Sequence, residues 1–521
     1  MFLIPYIIFI FIVLILINQK KISYIRNIDF YKSVNNIQDI YILSFLFVLT
    51  MITQFYTMDK EVLNWDINTY MIMGQDILRG NIPYENQFDN KGPLFYFIYS
   101  LPAITGKVTV VRIFNDIILS FLVCEMYLIS RKIKTNISKI YVLLPSLYFS
   151  LYMSYPQGHP GLAEVYSVLP LAVAINLLLS SKTNKIKFFK VGFYLSISYL
   201  ISPSVVLLVV SISIFVLRKC IKNKIYSDLV SLVIGASIPL LILLALYEYN
   251  GLLYELIFVL FVFPIIYTTE GVGVYPNNFI EYLTEYLSLE NYFSLGLITQ
   301  ILFWIFLYTI GKNFVRFREF YKEDPALKIF IVLAMVSIVT FFNVPVPWWH
   351  YLVYYFFFSS FFILFIDSEW IKQIILLSIL LCSLNVLPFM VRDNIKLLSK
   401  FNNIEADYPI YNEYKEIDEK YKIKSVVALS NHLMVYYFNI PGSNYIVHPS
   451  NYQKKSYVDG LTNANLMEEN ELINLIRNGE VDLLICNTTY LKECMSSNFY
   501  NLSKKYDENT YIFINKYALL K

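Results

Sequence analysis

Long uninterrupted apolar runs limit what this chain can become more than any other feature. FLIPYIIFIFIVLILI at the start, IYILSFLFVLTMITQFY from Ile40 and LVSLVIGASIPLLILLALY from Leu229 are of membrane-spanning length. A run of about 20 apolar residues matches the hydrocarbon thickness, and helices satisfy their own backbone hydrogen bonds there. With 57% hydrophobic and 16% charged residues in 521, such runs recur often enough for a polytopic helical membrane protein. The first run lacks a basic segment before it and a small-residue cleavage site, so it reads as a retained helix.

Orientation follows from where the basic residues fall. Lys20, Lys21, Arg26 and Lys32 follow the first run, and further basic loops lie at 131–139, 182–190, 218–224 and 312–328. These are expected in the cytoplasm. The stretch 247–292 carries six glutamates and no Lys or Arg, and it is expected outside. The alternation holds if LFYFIYSLPAITG from Leu94 is an interfacial helix and GLLYELIFVLFVFPIIY from Gly251 lies along or re-enters the outer face. About twelve spanning helices result, with both termini outside.

After residue 390 the composition turns polar. The runs SVVALS, SNYIVH, VDLLICN and TYIFINKY alternate with helical patterns such as MEENELINLIRN. The expected fold is therefore an all-α polytopic membrane domain over 1–390 and a small extracytoplasmic α/β domain over 391–521. Cys486 and Cys494 lie close together in that domain, where a disulfide is open to them. The net charge of +3 carries no information about nucleic acid, and no such partner is expected.

Three clusters fall at the expected outer face. The outer loop 57–93 carries Asp66, Asp76, Arg79, Glu85, Asp89 and Lys91. Asp66, near the membrane surface, is either a solvating carboxylate or a partly desolvated general base. YPQGHPGLAEVYSVLP at 155–170 brings Glu164 about one turn into an apolar helix. It is a buried site residue or a helix-start carboxylate favoured by the macrodipole, and His159 reads as a turn residue. NVPVPWWHYLVYYFFF at 343–358 places His350 after Trp348 and Trp349, as an aromatic-belt element or a ligand for a headgroup phosphate. Lys91 can neutralise a phosphate as a point charge and Arg112 can do so bidentately, or either can snorkel. Asp76, Glu85 and Asp89 read as solvated. No P-loop, dinucleotide fingerprint, HExxH or GxSxG occurs, and no metal or cofactor is required.

The order of these pieces resembles the GT-C superfamily of membrane glycosyltransferases. The nearest branch is the bacterial one related to protein O-mannosyltransferases and the lipid A aminoarabinose transferase. WDINTYMIMGQDILRGNIPYENQFDNKGPLFYF is similar to that family's first outer loop, and the later segments follow in the expected order over residues 38–521. The resemblance implies a polyprenyl-phosphate sugar donor. It also implies inverting transfer to an envelope glycan, lipid or protein acceptor outside the cytoplasmic membrane. Asp66 is then the base, Glu164 the second acid, and Lys91 the lysine near the donor phosphate, with His350 the polar group before a late helix and Arg112 a further phosphate candidate. Glu164 stands where Asp is common, Gly92 replaces the first proline of a K-P-P-L pattern, and ISPSVVLL carries Ser where relatives often have a basic residue.

Two rivals come from other chemistry. A lipid-linked saccharide flippase would show polar residues near the midplane and repeated halves. An O-antigen polymerase would use an outer-face site on lipid diphosphates.

Overall fold

The computed structural model describes residues 37–134, 137–154, 160–180, 184–269, 325–342, 349–365, 401–468 and 470–518. The first apolar run, His159, Trp348 and the expected boundary near 390 lie outside them.

Helix α1 (Asp39–Gln54) continues into a 3₁₀ turn over Phe55–Asp59. Part of the expected outer loop then folds as helix. Asn64 caps α2 (Trp65–Leu78) by accepting the Asp66 backbone N–H at 2.7 Å, which places Asp66 in the first helical turn. Helix α3 (Pro93–Ala103) starts on a proline, which lacks only a hydrogen the first turn leaves unpaired anyway. At 11 residues it is the short helix expected from Leu94.

The bundle continues with α4 (Val108–Ile133), α5 (Lys139–Met153), α6 (Ala163–Leu179), α7 (Lys185–Ile201), α8 (Val206–Lys222) and α9 (Tyr226–Tyr249). Short helices α10 (Leu253–Ile257) and α11 (Phe263–Thr269) flank a π-helical turn at Phe258–Val262. Helices α12 (Pro325–Phe342) and α13 (Val353–Ser360) follow, α13 lying between 3₁₀ turns at Trp349–Leu352 and Phe361–Phe365.

Four stretches among the described residues are long and apolar enough to cross a membrane: Asp39–Asp59, Val108–Ile133, Pro203–Lys222 and Tyr226–Tyr249. That is short of the twelve expected. Ala163–Leu179, Leu253–Tyr267, Ala326–Phe341 and His350–Phe365 are apolar but shorter. α6 is buried on nearly all sides of its first half, so protein packing surrounds it there.

Backbones approach closely where glycines permit it. A Cβ on Gly192 of α7 would lie 2.0 Å from the Leu232 carbonyl oxygen, and one on Gly235 of α9 would lie 2.0 Å from that of Phe189. This reciprocal contact is the small-residue packing that holds helices together where lipid is as apolar as the protein. Gly92 has a comparable role: its N–H donates to Ile201 O at 3.0 Å, and a Cβ would meet Leu200 O at 2.1 Å. Proline at this position would lose the bond and collide with α7, which accounts for the departure from K-P-P-L.

The C-terminal part forms α14 (Pro409–Lys420), β1 (Val426–Ala428), α15 (Leu433–Phe438), α16 (Lys455–Asn463), α17 (Glu471–Asn478), β2 (Leu483–Asn487), α18 (Leu491–Ser496), β3 (Tyr500–Lys505) and β4 (Thr510–Asn515). The sheet order is β1-β2-β4-β3, with β1 parallel to β2 and the other pairs antiparallel. Strands β1 and β2 are buried in near-continuous runs, as in a sheet covered on both faces, while β3 is an exposed edge. Cys486 and Cys494 are joined in a disulfide.

SNYIVH, expected as a strand, does not join this sheet. It pairs instead with the segment before α3: Phe88 N–H donates to Tyr445 O at 2.6 Å, and Val447 N–H donates to Phe88 O at 3.1 Å. One hydrophobic core runs from Met71 and Phe95 through Tyr436 to Leu483 and Phe513, so the sheet domain and α2–α3 pack as a unit.

Candidate active site

Four of the five expected site residues converge. Asp66 comes from the first turn of α2 and Lys91 from the segment before α3. Glu164 comes from the first turn of α6, and His350 from the turn before α13. The Lys91 Nζ donates to Glu164 Oε1 at 3.0 Å, with the Glu164 side chain fully buried and Lys91 nearly so. Asp66 and His350 lie within charge range of each other and of Lys91. Desolvation opposes the Lys91 ammonium. Glu164, Tyr351, Asp66 and Asp89 outweigh it and hold the amine well above its usual pKa. The ring of Tyr351 also faces Nζ at 5.5 Å.

Arg112 does not join this group. It is buried in α4, where Nη2 donates to Glu61 O at 3.1 Å, within charge range of Asp116 and Tyr408. The Glu61 carboxylate accepts the first N–H groups of α14 from Ile410 and Tyr411, both at 2.7 Å, and the Tyr437 hydroxyl at 2.8 Å. This corner fastens the sheet domain to the helices. Arg112 is thus set apart from the Lys91 group, with Nε and Nη1 buried and without a hydrogen-bond partner among the described residues.

Two residues expected to be solvated are buried. Asp76 accepts from Arg79 at 3.1 Å and from Asn81 at 2.8 Å, closing the end of α2. Asp89 accepts the Tyr96 hydroxyl at 2.7 Å, and burial raises its carboxyl pKa. Tyr96 in turn accepts the Lys91 backbone N–H at 3.1 Å. These bonds fix the backbone that presents Lys91. Glu85 is exposed, as expected.

The sheet domain adds residues that the helices lack. His448 Nε2 lies 3.2 Å from Asp66 Oδ1. His432 Nε2 lies 3.0 Å from Trp65 O and 3.0 Å from Thr69 Oγ1; a carbonyl only accepts, so Nε2 carries the hydrogen. Lys454 Nζ donates to Asn451 Oδ1 at 2.8 Å and lies within charge range of Asp66 and Asp89. Burial pushes the Asp66 carboxyl up, but the His448 hydrogen bond and charge, with His350 and Lys91, bring it well below the usual carboxylate range. Asp66 is thus an anion at the positive end of α2.

Burial, reinforced by the charge of His448, pushes His432 down to about 3, against opposing contributions from Trp65 O and Asp66. It stays neutral in the fold, while in the unfolded chain it binds a proton below about 6.5. The unfolded state therefore holds the extra proton between those values. Stability from this group is complete above about 6.5 and falls as pH drops, by roughly 1.4 kcal/mol per unit. Thermal unfolding from pH 7 to pH 5 is expected to show a fall that His432→Gln largely removes.

Behind Glu164 lies a group of hydroxyls. Ser167 Oγ and Ser204 Oγ each lie 3.0 Å from Tyr354 Oη, and Ser202 Oγ lies 2.8 Å from Ser204 Oγ. Glu164 Oε2 and the Tyr70 hydroxyl are buried without a hydrogen-bond partner among the described residues. An apolar cavity of about 780 Å³ runs beside α6, lined by Phe47, Val48, Ile118, Phe121, Leu169 and Val173 and reaching Tyr166.

No protein-family model matches the chain, and no curated protein matches its sequence. Two solved structures of ArnT from Cupriavidus metallidurans are similar in fold, each at 11% identity. The apo form gives a TM-score of 0.57 over 91% of this chain and 97% of the other. The form bound to undecaprenyl phosphate gives 0.56 over 90% and 97%. At the level of fold the resemblance read from the loops holds: this chain shares the overall fold of these ArnT structures, with a small sheet domain at its C-terminal end.

Proposed function

We propose that this chain is a membrane glycosyltransferase that moves a sugar from a polyprenyl-phosphate donor to an acceptor outside the cytoplasmic membrane. The observation that carries the reading is the meeting of Asp66, Lys91, Glu164 and His350 from four separate segments within an ArnT-like fold. In full the reading includes about twelve spanning helices, a membrane domain over 1–390 and an outer sheet domain over 391–521.

In the proposed step an acceptor oxygen attacks the anomeric carbon from the face opposite the phosphate. The bond from that carbon to the phosphate oxygen breaks, its electron pair leaves with the lipid phosphate, and configuration inverts. Lys91 and His350 offset the charge growing on the phosphate, in a poorly hydrated site where fixed charges act strongly. Asp66 takes the acceptor's proton. Its low proton affinity suits a late transfer, because a hydroxyl becomes strongly acidic once its oxygen bonds to the anomeric carbon. Glu164 orients Lys91 through Oε1 and keeps Oε2 for a donor group of the substrate. The apolar cavity beside α6 suits the first part of a polyprenyl tail.

The test is purified full-length protein in nanodiscs, supplied with a panel of polyprenyl-phosphate sugars and an envelope extract. Mass spectrometry is expected to find free polyprenyl phosphate and a glycosylated acceptor. Labelled lipid that crosses a liposome bilayer with its chemistry unchanged would instead mark a flippase.

A further inference from the structure

A helical membrane enzyme has no need of a sheet domain to position a carboxylate, yet this one brings an imidazole to Asp66. His448 Nε2 lies 3.2 Å from Asp66 Oδ1, with 12% of the His448 side chain and 30% of the Asp66 side chain exposed. The other ring nitrogen is held as well: Ser450 Oγ lies 2.9 Å from His448 Nδ1. With Nδ1 partnered by Ser450, Nε2 is the nitrogen that faces Asp66, and because a carboxylate only accepts, Nε2 carries a hydrogen toward it. The ring packs 5.8 Å from that of His432 and 6.2 Å from that of Trp65.

The backbone before His448 is fixed independently. The paired bonds between Phe88 and the Tyr445–Val447 stretch set its position against the segment before α3. Asn444 Nδ2 donates to Ile446 O at 2.5 Å, and the Ile446 N–H donates to Tyr452 Oη at 3.1 Å. A contact prepared from so many sides is built rather than incidental.

We propose that His448 is a positioning residue for Asp66, its Nε2–H holding one carboxylate oxygen so that the other receives the acceptor's proton. The transfer site is thereby shared between the helical bundle and the sheet domain. This inference rests on the glycosyltransferase reading for its consequence in turnover, while the contact itself can be measured without turnover.

The groups that face Asp66 are His448 and Lys454 from the sheet domain, His350 from the turn before α13, and Lys91 before α3. Asp89 and His432 lie just beyond them. Of these, His448 alone is placed to donate to its carboxylate at hydrogen-bond distance among the described residues.

Two measurements on the full-length protein in nanodiscs test the idea. The first is an infrared pH titration of the carboxyl band that disappears in Asp66→Asn. In His448→Gln, which keeps a donor but not a charge, that band is expected to titrate about one pH unit or more higher than in wild type. An unmoved band overturns the proposal whether or not the protein transfers sugar. The second is turnover. His448→Ala is expected to lower kcat roughly 10- to 100-fold, the range for removing outer partners that orient a reactive group, with little change in donor KM. His448→Gln should recover most of the loss, and His448→Ala should add nothing in the Asp66→Asn background. Equal losses in both backgrounds would mean a general structural role and would also overturn the proposal. Failure of wild type to use any donor would sink the glycosyltransferase reading, and with it the consequence for turnover, leaving the infrared result to decide the contact.

Discussion

Asp66→Asn is expected to lower kcat by about 10²- to 10⁴-fold, the usual contribution of a positioned proton acceptor. Donor binding should change little, because the amide keeps the shape of the carboxylate while Lys91 and His350 keep theirs. Asparagine can still accept from His448, and Asn64 still caps α2 through the backbone N–H of residue 66, so the variant should fold. Initial rates at saturating and limiting donor, beside thermal unfolding, check this. The pH profile gives a second handle. Asp66 is held well below the ordinary carboxylate range, so it remains ionised throughout the working range of a cell envelope. Any acid limb of wild-type activity above about pH 5 should therefore survive unaltered in variants that retain Asp66 and its partners, and must belong to another group. Wild-type turnover by Asp66→Asn would remove Asp66 from the chemistry.

The second large effect concerns the Lys91–Glu164 pair. Removing one member strands a charge in a site where both side chains are buried, at a cost of about 3–5 kcal/mol. Lys91→Met and Glu164→Gln should each lower activity, and Lys91→Met should also leave Glu164 unpaired and reduce thermal stability sharply. Combining Lys91→Met with Glu164→Leu removes both charges, and stability should return close to that of wild type. Activity should not return. Loss of a cation that stabilises developing charge costs about 10²–10³ in kcat, and repacking cannot replace it. A double variant both stable and active would show that the pair is structural only.

Much of this was legible in the sequence for one physical reason: a charge beside a long apolar run is costly unless it has a purpose. That reasoning picks out Asp66, Lys91, Glu164 and His350 from segments far apart in the chain. The short helix after Gly92 follows instead from the length of its apolar run and the alternation of the loops, and the sheet domain from the polar turn in composition. Reasoning from charge fails where burial is decided by partners distant in sequence. Asp76 and Asp89 look like solvated loop residues until Arg79, Asn81 and Tyr96 are seen to enclose them. Arg112 is seen to stand apart from the Lys91 group only once the Glu61 corner is in view. His432 and His448 were missed because they sit in an apparently separate domain more than 360 positions from the groups they meet. One signal was present: the chain has only four histidines, and three of them surround Asp66. SNYIVH has the composition of a strand, and its backbone does pair, but with Phe88 rather than with the sheet.

That pairing bears on when the protein becomes active during its synthesis. Phe88 is made early and Tyr445–Val447 late, so most of the bundle exists long before the segment that pairs with it. A chain halted anywhere in between carries Lys91 and Glu164 but not His448 or Lys454. Under the proposed function, such unfinished copies would lack two of the groups that face Asp66, and transfer would reach its full rate only after the last segment has joined the bundle.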